Sequence, residues 1–130
     1  MFTALKAACD RGGPLVGVRE FQLFPGSNAI SAVELQFQGL TVTLSAVADD
    51  DTISISLAPL AQPTQVGYSA HWDQCLGNPL RWAWLMTNQQ GYTDGLRLEF
   101  GGPDNPQSVV LEFVVAASSF ATFIARATKA

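Results

Sequence analysis

His71, Asp73 and Cys75 stand within five residues of one another, and their types are those that acyl transfer uses. An imidazole that titrates near neutrality can take a proton, a carboxylate can orient it, and a thiolate can attack. The spacing argues against that chemistry. A nucleophile and its base normally come from distant parts of a chain, and neighbours on one loop rarely meet in the required geometry. His71, Asp73 and Cys75 are thus weak catalytic candidates, and the plainer reading is a loop histidine that packs.

The segment from Leu80 to Phe100 carries a different chemistry. Trp82 and Trp84 share one face of a strand, and Asn88, Gln89, Gln90, Tyr92 and Asp94 follow at once. Two indoles beside amide and carboxylate groups could stack on a sugar or a flat aromatic ligand and bind its edges. The same set would anchor a protein partner, because Trp and Tyr are enriched at interface hot spots. Against both readings, the two indoles could fill the core, and Asn88 to Gly95 could be a plain β-turn. The candidate binding residues are Trp82, Trp84, Asn88, Gln90, Tyr92 and Asp94.

Other motifs point away from cofactors. One His and two Cys, Cys9 and Cys75, exclude a metal site built from several such ligands, and both thiols are expected free. Asp49-Asp50-Asp51 lacks the alternating ligands, central Gly and closing Glu of a calcium loop, so it reads as a solvated acidic turn. That acidic knob could still meet a cationic partner surface. Gly12-Gly13-Pro14 and Gly101-Gly102-Pro103 do not have the spacing of phosphate-binding loops. No metal and no cofactor are expected.

Seven Lys and Arg against 11 Asp and Glu give a net charge of -4, which disfavours nucleic acid as a partner. No apolar run is long enough to span a bilayer, and no signal-peptide core precedes Asp10 and Arg11. The expectation is a cytoplasmic protein that binds neither membrane nor nucleic acid. The 130 residues, 48% of them hydrophobic, suit a single domain spanning residues 1–130 with a real core.

The elements that position these residues are legible from a period of two. Val33, Leu35 and Phe37 alternate with polar residues, as do Leu40, Val42, Leu44 and Ala46, and then Ile53, Ile55 and Leu57. A turn at Gln38-Gly39 sets Leu35 against Val42 and Val33 against Leu44, all apolar on one face. A loop at 49–52 would set Ala48 against Ile53, Ala46 against Ile55, and Leu44 against Leu57. The phase of the apolar residues changes between Val18 and Phe21, which predicts a bulge near Arg19 and Glu20. Residues 59–79 read as a long irregular crossing, and such loops usually have a function.

In the second half, a loop at 101–108 sets Phe100 against Val109, Leu98 against Leu111 and Leu96 against Phe113. That register places Arg97 opposite Glu112. Helices are expected at both ends. One carries Phe2, Leu5 and Cys9 and stops at Gly12-Gly13; the other carries Phe120, Phe123, Ile124 and Ala127 at helical spacing. Thr122 and Thr128 favour a strand there instead. The fold class is α+β: an antiparallel, curved or partly closed hairpin meander of about seven strands with short N- and C-terminal helices.

Asp49-Asp50-Asp51-Thr52-Ile53 after the strand from Leu40 to Leu44, with Trp82-x-Trp84 and the segment from Asn88 to Gly95, resembles a small bacterial family of uncharacterised single-domain proteins. The resemblance covers residues 30 to 118 or so. It implies an accessory role over a metabolic enzyme and carries no catalytic residues. The expected function is a non-catalytic protein-binding or immunity-like module, with a homodimer through a sheet edge permitted. The alternative is a small-ligand binder with a pocket at Trp82, Trp84 and Tyr92 on the concave face of the sheet.

Overall fold

A computed structural model describes residues 2–47, 50–59, 65–67, 69–102, 105–116 and 119–128. Helix α1 (Phe2–Arg11) buries Ala4, Leu5, Ala7 and Ala8 along one side. It stops where Gly12 N–H donates to the Ala8 carbonyl and Gly13 takes a positive φ of 71° that other residues resist. None of the helices is long and apolar enough to cross a membrane, among the described residues.

Nine strands follow among the described residues: β1 (Leu15–Gln22), β2 (Ile30–Phe37), β3 (Thr41–Val47), β4 (Thr52–Ser56), β5 (Gln65–Gly67), β6 (Leu80–Thr87), β7 (Thr93–Gly102), β8 (Asn105–Ala116) and β9 (Ser119–Thr128). They form two antiparallel sheets, in the orders β4-β3-β2-β1-β5 and β6-β7-β8-β9. The core lies between them: Val33, Leu35, Phe37, Val42 and Leu44 on one side, Leu96, Leu98, Phe100, Leu111 and Phe113 on the other. Phe37 stacks on Phe100 across the gap at 6.4 Å. One corner is joined, because Leu15 N–H donates to Asn78 (2.9 Å) and Gly77 N–H donates to Leu15 (2.8 Å).

The α+β reading therefore holds in its coarse form, an antiparallel β structure with an N-terminal helix. The single sheet of about seven strands does not. Two half-buried sheets each need a cover for the apolar face, and here they cover one another without closing into a barrel.

The C-terminal helix is also replaced by a strand. β9 pairs with β8 from Ala116↔Ser119 to Ser108↔Thr128. Without β9, the backbone groups along that side of β8 would have no partner, and satisfying them outweighs the helical spacing of Phe120, Phe123 and Ile124. Phe120 and Thr122 turn inward, and Phe120 meets Phe113 edge-on at 5.9 Å.

Registers follow the alternation closely. Leu35↔Val42 and Val33↔Leu44 pair as expected, and so do Phe100↔Val109, Leu98↔Leu111 and Leu96↔Phe113. The β3–β4 hairpin differs by two residues, with Ala46↔Ile53 and Leu44↔Ile55. A slip of two keeps every side chain on its own face, so the apolar pattern could not distinguish the registers. The expected partner Ala48 lies outside the described residues. The β7–β8 loop is shorter than expected, since Gly102 already pairs with Asn105.

In β1 the pairing with β2 is irregular at Val16 and next to Phe21, and the pairing with β5 shifts between Glu20 and Phe21, beside the expected position. The extra residue at Val16 flips the phase, so Leu15, Val18 and Glu20 face inward. Phe21 is buried on the outer face, with the Arg19 guanidinium 5.1 Å above its ring. The chain leaving β4 folds onto that same outer face, where the Thr43 hydroxyl donates to the Ala58 carbonyl.

The described residues of the crossing at 59–79 include β5 and a short 3-10 helix (Ala70–Gln74).

Candidate functional site

The 3-10 helix turns the His71–Cys75 segment into part of the core. Trp72 is fully buried between the sheets, stacked on Phe113 (5.7 Å) and edge-on to Phe100 (6.1 Å). Its indole N–H donates to Glu20 Oε2 (3.3 Å), and Glu20 Oε1 accepts from Ser69 N–H (2.5 Å) and Ser69 Oγ (2.9 Å). Glu20 is thus an inward carboxylate held by three donors. Its only sign in the sequence is an acidic residue at an inward position of a strand.

This arrangement does not assemble a nucleophile and base from His71, Asp73 and Cys75. The Cys75 thiol is buried in the core, burial pushes its pKa up to about 12, and it donates to the His71 carbonyl at 3.9 Å. A thiol so placed stays protonated and is not a nucleophile at neutral pH. Asp73 is exposed. His71 leans on the Trp72 ring at 5.2 Å, and its Nε2 is buried with no hydrogen-bond partner among the described residues.

Burial lowers the His71 pKa, and the charge of Glu20 opposes that shift. A native pKa below the unfolded value means that the native state favours neutral imidazole. The associated stability is complete above about pH 6.5, the unfolded value, and is lost as the pH falls toward the native pKa. Urea unfolding between about pH 7.5 and pH 5.5 is expected to show this loss, and His71→Phe is expected to flatten it. An unchanged slope in the variant would assign the loss to other groups.

The second candidate region is built on β6 and β7. Trp82 and Trp84 are 55% and 45% exposed, so neither fills the core; Trp72 does. Their side chains point away from β1–β5, on the outer face of the four-stranded sheet, not into a concavity between the sheets. Pairing continues outward from them in rows. One row runs Trp84–Arg97–Glu112–Phe123 across all four strands, and another sets Trp82 beside Glu99.

Arg97 and Glu112 form the expected ion pair at 3.1 Å. Both remain partly exposed, so it contributes on the order of 0–1 kcal/mol. A bulge at Arg81 turns its guanidinium to the same outer face, 3.9 Å from Glu99. At Gly95, opposite Met86, an added Cβ would sit 2.5 Å from Met86 Cε. The missing side chain lets Met86 lie flat across the sheet.

The polar candidates of this segment serve the turn. Asn88 Oδ1 accepts from the N–H groups of Gln90 (2.9 Å) and Tyr92 (3.3 Å), and Asn88 Nδ2 donates to Asp94 (3.1 Å). Gly91 takes the positive φ of 88° that closes it. Gln90 and Tyr92 stay exposed at the hairpin tip. At the acidic turn, Asp50 accepts from the Thr52 hydroxyl (2.6 Å) and Asp51 has a φ of 52°, both turn features; Asp49 lies outside the described residues.

The structure therefore brings Trp82 and Trp84 together on one face, with Arg97, Glu112 and Phe123 as neighbours that the sequence reading had not joined to them. Phe123 shares a helical spacing with Phe120 and Ile124, and it reaches this face only because β9 is a strand. A depression of about 260 Å3 lies elsewhere, lined by Cys9, Pro79, Leu80, Arg81, Gly101 and Gly102, and neither indole borders it.

A family model described as a family of unknown function (DUF6334) matches residues 14–129. No curated protein and no solved structure matches the chain.

Proposed function

Because the chain belongs to the family of unknown function DUF6334, its role has to be read from its own surface, and we propose a non-catalytic protein-binding module of accessory, immunity-like type. The observation that carries this reading is the outer face of the β6–β9 sheet. Four strands present Trp82, Trp84 and Phe123, each about half exposed, around the Arg97–Glu112 pair. The row from Trp84 to Phe123 spans roughly 14 Å, three strand spacings of about 4.8 Å. Large aromatics around a central arginine are the composition of an interface hot spot.

The alternative is a sugar or flat aromatic compound bound by Trp82, Trp84 and Tyr92. It draws on the same indoles, but a small ligand needs walls that bury most of its surface. Trp82 and Trp84 stand on an open sheet face, which suits a partner that brings its own surface.

The test uses immobilised protein and extract of its source cells. W82A/W84A, with an unchanged circular dichroism spectrum, is expected to retain the bound protein at least about tenfold less well than wild type, as loss of two hot-spot aromatics predicts. Equal retention by wild type and variant would overturn the assignment of this face. A shift of Trp emission with a sugar or flat aromatic compound, abolished in W82A/W84A, would favour the small-ligand alternative.

A further inference from the structure

We propose that Trp82 and Trp84, at the β6 end of this face, meet a second copy of the chain, joined edge to edge by antiparallel pairing of β6 with β6 about a two-fold axis through Ala83. The inference rests on the protein-binding reading above and names its partner. β6 ends its sheet, and among the described residues its strand pairing is with β7 alone. Helix α1 packs against β6, and Cys9, Leu80 and Arg81 line one depression between them. Residues 82 to 87 are all exposed or half-buried.

An edge strand that must stay single is usually short, or carries charges, a proline or a bulge. The other three edges fit that description. β5 has three residues, and β4 has five with Ser54 and Ser56 exposed. β9 is interrupted by a bulge before Arg126. β6 is eight residues long, its pairing with β7 is irregular only at the two ends, between Leu80 and Trp82 and between Met86 and Thr87, and its only charge is Arg81, already beside Glu99. From Trp82 to Met86 nothing in its sequence guards the edge.

The sequence of this edge is also complementary to itself. Trp82-Ala83-Trp84 reads the same in both directions. With Ala83 on the axis, Trp82 faces Trp84 of the second copy, and Trp84 faces its Trp82. Antiparallel self-pairing keeps every side chain on its own face, so the four indoles gather on the shared outer face and two four-stranded sheets become one of eight. The two Arg81 side chains fall about four residues apart along the strands, roughly 13 Å, beyond the range of strong repulsion at physiological salt.

Area sets the strength. Four half-exposed indoles supply at most roughly 300–500 Å2, from about 150–250 Å2 for a whole aromatic side chain. A specific interface needs on the order of 1,000 Å2, and the paired backbones with Leu85, Met86 and Thr87 must provide the remainder. The dimer is therefore weak, with a Kd in the micromolar range or above. Each copy carries a net charge of -4. Screening that repulsion tightens the dimer, so added salt strengthens association, whereas it would weaken binding of an acidic knob to a cationic partner.

Sedimentation equilibrium of the full chain from about 1 µM to about 500 µM tests the proposal. Wild type is expected to pass from monomer to dimer, further so in higher salt, with a blue shift of Trp emission. W82K/W84K is expected to remain monomeric over the same range. In a Cys9→Ser background, Ala83→Cys is expected to form a disulfide-linked dimer on mild oxidation, since residues on the axis would have Cα atoms about 4.5–5.5 Å apart. Phe123→Cys on β9 is expected not to.

A wild-type monomer throughout, or cross-linking at Phe123→Cys in place of Ala83→Cys, would overturn the proposal. If wild type is monomeric while W82A/W84A still loses a protein retained from extract, the protein-binding reading survives and only the second copy fails. If wild type is monomeric and retention is equal as well, both fail.

Discussion

Trp72→Ala is expected to take away a large part of the stability of the fold. The side chain is fully buried between the sheets, stacked on Phe113 and edge-on to Phe100. Truncating a core aromatic costs about 3–5 kcal/mol, because burial is lost and the surroundings only partly collapse into the hole. The total for a domain of this size is about 5–15 kcal/mol. The variant also removes one of the donors to Glu20, which stays buried. Trp72→Phe separates the two contributions: it keeps most of the packing and deletes the N–H, at a cost of about 1–3 kcal/mol. Urea unfolding should place the midpoints in the order wild type, Trp72→Phe, Trp72→Ala. A near-native midpoint for Trp72→Ala would mean that the two sheets are held together without this plug.

The parts of the fold that were legible in the sequence are those in which one face is buried and the other wet. Leu35 opposite Val42 and Leu98 opposite Leu111 follow from alternation alone, and Arg97 opposite Glu112 confirms the register on the polar face. Alternation says which side of a strand is inside, but not what covers it. The same Val33, Leu35 and Phe37 would suit one curved sheet or two facing sheets, and only the tertiary structure selects the second. The pattern is also blind to a slip of two, as in the β3–β4 hairpin, and it misreads a strand whose phase is reset by an added residue. Val16 resets β1, and Phe21 then finds burial on the outer face beneath Arg19.

The positions of the candidate residues were legible or hidden for related reasons. Residue types near His71 suggested chemistry, but proximity in sequence put them on a 3-10 turn whose role is to insert Trp72. Trp82 and Trp84 were correctly placed on one strand face. Whether that face was core or surface depended on which side of β7 meets the other sheet: Leu96 and Leu98 turn inward, so Trp82 and Trp84 beside Glu99 and Arg97 turn outward. Phe123 could join them only once β9 existed. A helix would have carried it elsewhere.

Glu20→Gln separates charge from shape inside the sandwich, and the two effects oppose one another. Burying a carboxylate costs several kcal/mol, so removing its charge could stabilise the fold. Here, however, Ser69 N–H, Ser69 Oγ and Trp72 Nε1 all converge on Glu20, and a carboxylate is the side chain that only accepts. An amide offers one oxygen and one NH2. If its oxygen stays with Ser69, the NH2 faces the indole N–H, donor against donor. The loss of a hydrogen bond to a charged acceptor, about 1.5–3 kcal/mol, is expected to win, because three donors already compensate the buried charge. Glu20→Leu leaves all three donors without an acceptor and is expected to cost more, about 3–5 kcal/mol. Urea midpoints should therefore fall in the order wild type, Gln, Leu. The pH dependence gives a readout that packing alone would not move. The Glu20 charge raises the His71 pKa, so in Glu20→Gln the loss of stability linked to His71 should extend to lower pH than in wild type. A Gln variant as stable as wild type, with its pH profile unmoved, would show that Glu20 is neither the acceptor holding Trp72 in place nor the charge that His71 senses.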